Sequence, residues 1–286
     1  MSSVLSQKAV LASLQIGQWT ARRLDKEITQ KVNDEHHASD DAGRYNKLLI
    51  DKEALHPVQR VVGEARSKHV RMTLPWIDLG PRLLPSGLYA EYANHFREFR
   101  REFEREADAF ADAFPRLVKD RERKLGDMFR PQDYPDPSRV RDLFTFETHI
   151  LPCPDASDFR VQLGDEHANE IREQVERDMR NALHTAQRDV VERINETVGT
   201  LAHRLRDYGS DRKQLRDSVL DKVRELVEML PKLNLAGDAR LDAIARKIDN
   251  SLTGWSGDQL REDPHLRAEL AANADKILAD VSDFMA

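Results

Sequence analysis

Histidines, one cysteine, and clustered acids and bases are the residues of this chain that can do chemistry. The densest set of metal-ligand types is Asp34-Glu35-His36-His37, with Asp40 and Asp41 just beyond. Imidazoles and carboxylates together suit a transition metal. Adjacent side chains diverge on a regular backbone, however, and no His-x-x-x-His pair puts two imidazoles on one helical face. The segment therefore reads as a solvated polar loop, and Glu166-His167 has the same weakness. Cys153 stands between Pro152 and Pro154, with His149 four residues earlier. A catalytic thiol needs a base and an electropositive setting, and the two prolines read instead as a turn that happens to carry a cysteine. No Gly-x-x-x-x-Gly-Lys-Ser/Thr run is present, no Gly-x-Gly-x-x-Gly follows a strand, and no Gly-x-Ser-x-Gly elbow occurs. With 12 glycines in 286 residues, backbone amides have few places to cradle a nucleotide. The expectation is a protein without enzymatic activity, cofactor or metal.

Basic clusters with neighbouring aromatics carry more information. Arg22, Arg23 and Lys26 follow Trp19, and Arg44 and Lys47 flank Tyr45. Arg60, Arg66, Lys68 and Arg71 are opposed by the single acid Glu64, and Arg116, Lys119, Arg121, Arg123 and Lys124 by Asp120 and Glu122. Interleaved aromatics and cations are what single-stranded nucleic acid uses, its bases stacking while its phosphates pair. The alternative is ordinary surface charge on helices whose aromatics face the core. The candidate nucleic-acid contacts are Arg22, Arg23, Arg44, Lys47, Arg66, Lys68 and Arg71 for phosphates, with Trp19 and Tyr45 for stacking. Trp255, set between Thr-Gly and Ser-Gly, is a candidate contact for a protein partner.

These residues must be positioned by a largely helical framework. From about Ser86 to Leu125, apolar residues fall at Tyr89, Tyr92, Phe96, Phe99, Phe103, Ala107, Phe110, Phe114 and Leu117, in steps of three and four. Pro115 should kink or end that helix. From about Asp165 to Tyr208, a second stripe runs through Ile171, Val175, Met179, Ala182, Leu183, Ala186, Val190, Ile194, Val198, Leu201 and Leu205. The stripes match in length, and packing them on each other as a long antiparallel, coiled-coil-like hairpin would bury both. Strand-like alternation lies between them, near 143–150 and 158–163. Residues 10–18 alternate as well and would supply a third strand, since a two-stranded hairpin is marginal alone; a helix there is the competing reading. Helices are also expected over Thr20–Asn33, around Tyr45–Lys52 and over Leu55–Met72. The Pro- and Gly-rich but apolar stretch Thr73–Gly87 should lack regular structure and pack down. After residue 211 shorter helices are expected, with Pro231 as a stop. The fold class is mainly α, with a small antiparallel sheet. Residues 1–210 would form the body and 211–286 a C-terminal helical region.

Composition bounds the function. Charged residues make up 34% of the chain and the net charge is −6, which excludes a uniformly basic nucleic-acid binder but not a local basic face. One cysteine excludes an internal disulfide and a Cys-based zinc cluster. No window has the length of a membrane span, and the first residues lack a signal-type apolar run, so a cytoplasmic protein is expected.

Four segments stand out together: Asp41-Ala-Gly-Arg-Tyr-Asn-Lys-Leu-Leu-Ile50, Thr73-Leu-Pro-Trp76 with Gly80-Pro-Arg-Leu-Leu-Pro85, Pro154-Asp-Ala-Ser-Asp-Phe-Arg-Val161, and Arg216 through Pro231. In these the chain resembles a family of phage- and prophage-encoded proteins without an assigned activity, over nearly its whole length. The resemblance implies a viral accessory protein in a bacterial cytoplasm and carries no site residues. Two functions follow as expectations: binding of single-stranded DNA through a local basic face, or binding of a host or phage protein as adaptor, scaffold or inhibitor. A homo-oligomer is expected if the Phe stripe is wider than one helix can cover.

Overall fold

The computed structural model describes residues 4–76, 80–155, 165–209 and 215–285. The protein is mainly α, with a small antiparallel sheet and a C-terminal helical region. In chain order the elements are α1 (Val4–Lys8), β1 (Ala9–Gly17), β2 (Arg22–Leu24), α2 (Lys26–Glu35), β3 (Asn46–Leu48), α3 (His56–Met72), β4 (Arg82–Pro85), α4 (Tyr89–Leu125), β5 (Thr145–Pro152), α5 (Asp165–Arg206), α6 (Asp217–Leu233), α7 (Ala239–Leu252), α8 (Gly257–Glu262) and α9 (Pro264–Met285).

The chain falls into two compact units. The first comprises Met1–Ser13, Val70–Tyr92 and His149–Ala286, the second Leu14–His69 and Ala93–Thr148. Helices α6 to α9 share the first unit with α5, which α6 and α9 contact directly. Basic and acidic residues are equal in number in the second unit, so the whole net charge of −6 belongs to the first.

In the first unit, α5 packs against α9 and α6, and α7 packs against both α6 and α9. The stripe on α5 supplies Met179, Ala182, Ala186, Val190, Ile194, Val198, Leu201 and Leu205, all buried. Burying each Val, Leu or Ile side chain contributes roughly 1.5–3 kcal/mol, so three helices sharing this stripe give the unit its core. Pro231 lies inside α6 near its C-terminal end and does not stop it. The Thr-Gly-Trp-Ser-Gly stretch that carries Trp255 leads into α8, whose start is fixed by a capping box of Ser256 and Gln259.

The strand expected over residues 10–18 is present as β1, Ala9–Gly17. β1 is the central strand of the order β4-β1-β5, and it pairs antiparallel with β4 from Ala9↔Pro85 to Ala12↔Arg82. β4 is the correction here, since it was expected to be irregular. Its Pro85 is admissible because a proline at the end of an edge strand removes no ladder hydrogen bond. The segment is held further by Leu74 and Leu83, which exchange backbone hydrogen bonds of 2.8 Å in both directions and are fully buried. The expected strand near 158–163 lies outside the described residues.

In the second unit, the Phe stripe of α4 makes an aromatic core. Phe103 packs at 5.5 Å from Phe146, Phe110 at 5.4 Å from Phe144, and Trp19 edge-on at 5.7 Å from Phe114. Both long helices exist, and the Phe stripe of α4 is packed by aromatics from β5 and from the β1–β2 turn. α4 also runs unbroken through Pro115. A helical proline loses its own N–H bond and crowds the carbonyl four residues earlier, and packing of the nearby Phe110 and Phe114, both buried, outweighs that cost.

The N-terminal half of the second unit departs most from expectation. A helix over Thr20–Asn33 is shortened to α2, which Asp25 caps by accepting from the Ile28 N–H at 3.2 Å. The helix expected around Tyr45–Lys52 is instead β3, paired antiparallel with β2 as Arg22↔Leu48, Arg23↔Lys47 and Leu24↔Asn46.

Candidate nucleic-acid interface

The turn between β1 and β2 is pinned from inside. Ala21 is buried and takes a left-handed φ of 51°, which a non-glycine residue seldom adopts. Its carbonyl accepts the Leu49 N–H at 2.8 Å. This places Trp19 on one side of the turn and Arg22 at the first position of β2. Trp19 has its edge against Phe110 and Phe114 and remains half-buried.

Trp19 and Arg22 line a cleft of about 270 Å³ that lies wholly within the second unit. Lys52 and His56 line it too, from the short 3-10 turn that leads into α3 and from the first residue of α3. Leu48, Ile50 and Leu55 give it apolar wall, and Gln18, Thr20 and Gln59 contribute neutral polar groups. No aspartate or glutamate lines it. Among the described residues none of Arg22, Lys52 and His56 makes an ion pair. Of the two acids next in sequence to Lys52, Glu53 does not line the cleft, and the Asp51 carboxylate already accepts from Lys124 Nζ at 2.5 Å and from Arg121 at 3.0 Å. The Lys124 hydrogen bond, then the charges of Lys124 and Arg121, hold Asp51 below the ordinary carboxylate range in spite of burial. Arg121 also donates to the Leu48 carbonyl at 2.8 Å, and Tyr134 to the Leu49 carbonyl at 2.9 Å, fixing the strand behind the cleft. Burial pushes the Tyr134 phenol up to about 12, so it stays a donor.

The other candidate contacts are scattered. Lys47 is a correction. Its side chain is 1% exposed, and its ammonium donates to Asp25 at 3.2 Å and the Met128 carbonyl at 2.8 Å and lies 2.6 Å from Asp133 as an ion pair. Buried and surrounded by these acceptors, it cannot also reach a phosphate. Burial alone would lower its pKa, but the hydrogen bonds and charges of Asp133 and Asp25 prevail and raise it. Arg23 is largely exposed, with Nε 3.6 Å from Asp133. Tyr45 is 37% exposed, but its backbone is tied to Asp25 and Thr29. Arg44 is exposed and makes no ion pair among the described residues. On α3, Arg66 is exposed and Lys68 half-buried. Arg71 belongs to the first unit, where it lies 3.6 Å from Glu225. Of the nine residues chosen from sequence, the cleft brings together Trp19 and Arg22. Lys52 and His56 were missed, although the spacing 52, 56, 59 is that of one helical face and could have drawn attention to them.

A second polar cluster lies in the first unit. Arg193 of α5 donates to the carbonyls of Val70, Arg71 and Thr73 at 2.9, 2.7 and 2.6 Å, and so closes the C-terminal end of α3. Its Nε lies 2.6 Å from Asp189 Oδ2, an ion pair by distance whose angle does not make a hydrogen bond. Arg82 donates to the Thr73 hydroxyl at 2.8 Å. Burial raises the Asp189 pKa, opposed by the charges of Arg193 and Arg82. Every donor in this cluster faces protein, and we read it as structural. Among the described residues no group of three or more His, Cys, Asp or Glu is placed to hold a metal ion, and no helix is long and apolar enough to cross a membrane.

Fold and cleft together define a mainly helical protein with a small antiparallel sheet and one acid-free, aromatic-walled recess. The chain belongs to the family described as protein of unknown function (DUF3150), whose model matches residues 6–271. No curated protein and no solved structure matches it.

Proposed function

We propose that this protein binds single-stranded nucleic acid, DNA in the first instance, through the cleft face of its second unit, as a non-enzymatic accessory protein of phage or prophage origin in a bacterial cytoplasm. The observation that carries the reading is the recess that joins Trp19 to Arg22, Lys52 and His56 without an acid among its lining residues. In a chain with 51 acidic residues, an acid-free concavity with three unpaired basic groups selects for anions. The indole and the aliphatic wall select for anions that carry a flat apolar body. The origin and setting rest on the sequence resemblance alone.

The test is fluorescence anisotropy of a labelled oligothymidylate titrated with the full chain at several salt concentrations. Log affinity should fall linearly with log salt, by about 0.7 for each phosphate engaged on a single strand. Arg22→Ala and Lys52→Ala should each weaken binding and flatten that slope. Absence of binding, or binding indifferent to salt, would sink the proposal.

One observation favours a second reading, a protein-binding adaptor. Trp255 is 37% exposed on the first unit, on a backbone held by Arg224, which donates to the carbonyls of Trp255 and Thr253. An exposed, rigidly mounted indole suits a protein contact. Co-purification of one defined host or phage protein with the wild-type chain, lost in Trp255→Ala, would select this reading.

A further inference from the structure

Proteins that hold single strands along their length use open grooves that track several nucleotides, roughly 4–16 per binding fold. The recess around Trp19 has a different form. At about 270 Å³ it has room for about one nucleotide-sized group, at or just below the lower end of the roughly 300–1,000 Å³ typical of small-ligand pockets. Its charge is also concentrated. Arg22, Lys52 and His56 line the same small volume, with no acid among the lining residues. An internal phosphodiester would bring a single negative charge to three basic groups. A phosphomonoester brings about −1.5 to −2 near neutral pH and three strong acceptor oxygens. Arginine and lysine offer several donors each, and a terminal phosphate is the nucleic-acid anion that can use them together. Gln18, Thr20 and Gln59 add neutral donors and acceptors for sugar and base edges, and Leu48, Ile50 and Leu55 with Trp19 supply apolar wall for a base.

We infer that this recess is a site for a single nucleotide bearing a phosphomonoester, supplied either by the phosphorylated end of a strand or by a free nucleoside monophosphate. The inference rests on the nucleic-acid reading of the same recess, but it can fail or hold separately from it.

The experiment uses the full chain and four probes: one oligothymidylate with a 5′-phosphate, the same strand with a 3′-phosphate, the same strand with hydroxyl ends, and thymidine monophosphate. Binding is followed by calorimetry. We expect one phosphorylated strand to bind about tenfold or more tightly than the hydroxyl-ended strand, the scale of a charge-assisted hydrogen bond. Thymidine monophosphate should compete for that preference. Both Arg22 and Lys52 sit on exposed backbone positions, so Arg22→Ala and Lys52→Ala should fold, as circular dichroism would verify, and each should erase the preference while Lys52→Arg keeps it. Equal binding of all three strands overturns the inference and leaves the proposed function standing. Binding of thymidine monophosphate with none of any strand supports the inference and sinks the proposed function. No binding of any probe removes both, and a phosphate preference that survives both alanine variants overturns the site assignment.

Discussion

Replacing Lys47 by methionine tests how the second unit holds together. The substitution keeps much of the aliphatic stem and removes the ammonium, leaving the Asp25 and Asp133 carboxylates, whose side chains are 6% and 10% exposed, to face each other without a cation between them. Removing one partner of a buried ion pair costs about 3–5 kcal/mol. Here Asp25 keeps the Ile28 N–H at 3.2 Å, and Asp133 keeps Arg23 at 3.6 Å, so the expected loss lies at the lower end, about 3 kcal/mol. The assay must report the second unit, because two units need not unfold together. Trp19 is the tryptophan of that unit, and Trp76 and Trp255 belong to the other. Urea unfolding followed by Trp19 fluorescence in a Trp76→Phe, Trp255→Phe background isolates it. The pH dependence should agree. Burial works to raise the Asp25 pKa, but the Ile28 N–H and Lys47 outweigh it, so its folded pKa lies below 3.8. Its contribution is complete above the ordinary carboxylate range and disappears as pH falls through the depressed value. Lys47 has a raised pKa, so its contribution is complete below 10.5 and disappears as pH rises through the higher folded value. In Lys47→Met both dependences should flatten. Adding Asp25→Asn and Asp133→Asn should restore most of the lost stability, because a neutral buried cluster no longer carries uncompensated charge. A loss below about 1 kcal/mol in the single variant, well short of the range for a broken buried pair, would refute the reasoning.

Four further outcomes are expected. Arg193→Ala leaves the Val70, Arg71 and Thr73 carbonyls without their donor and should cost about 2–3 kcal/mol in urea unfolding; Arg193→Lys should not rescue it, since lysine lacks the planar fork whose two terminal nitrogens share these carbonyls. Asp189→Asn should cost less than Arg193→Ala in the same assay, because burial already disfavours the charged form of that carboxyl. Phe110→Ala removes a ring that touches Trp19, Phe114 and Phe144 and should destabilise the second unit by about 3–5 kcal/mol, read by Trp19 fluorescence. The Cys153 thiol is buried and pushed up to about 11, so a thiol-specific reagent at neutral pH should label it far more slowly in the native protein than in urea.

Periodicity made the long elements readable, and it stopped at the question of partners. The stripes of α4 and α5 announce that one face of each helix is buried. They do not say by what, and two stripes of equal length invite the inference that they cover each other. The elements seen packed on α5 are α9 and α6, and on α4 the aromatics from β5 and the β1–β2 turn, and none of these is named by the stripe itself. β1 is nine residues long and alternates, so it could be read. β2 and β3 have three residues each, too few for a period, and the residues of β2 are all exposed. Lys47 was misjudged for a related reason. Residue type argues for the surface, and only the fold brings Asp25 and Asp133 to it from opposite sides in sequence.

Counting cations along the sequence weighs each one alike, whereas the folded unit divides them by what acids they meet. Lys47 and Arg23 go to Asp25 and Asp133, Arg121 and Lys124 to Asp51, Arg130 to Glu27, and Arg60 to Glu64 and Glu102. These pairs have little attraction left for a ligand, since each charge is offset by an opposite charge at ion-pair distance. Arg22, Lys52 and His56 are left facing a recess with no acid lining it. The location of a basic site in this protein therefore follows from where the acids are absent more than from where the bases are dense. That is why the residue clusters richest in arginine and lysine, at 60–71 and 116–124, are not where the concave candidate lies.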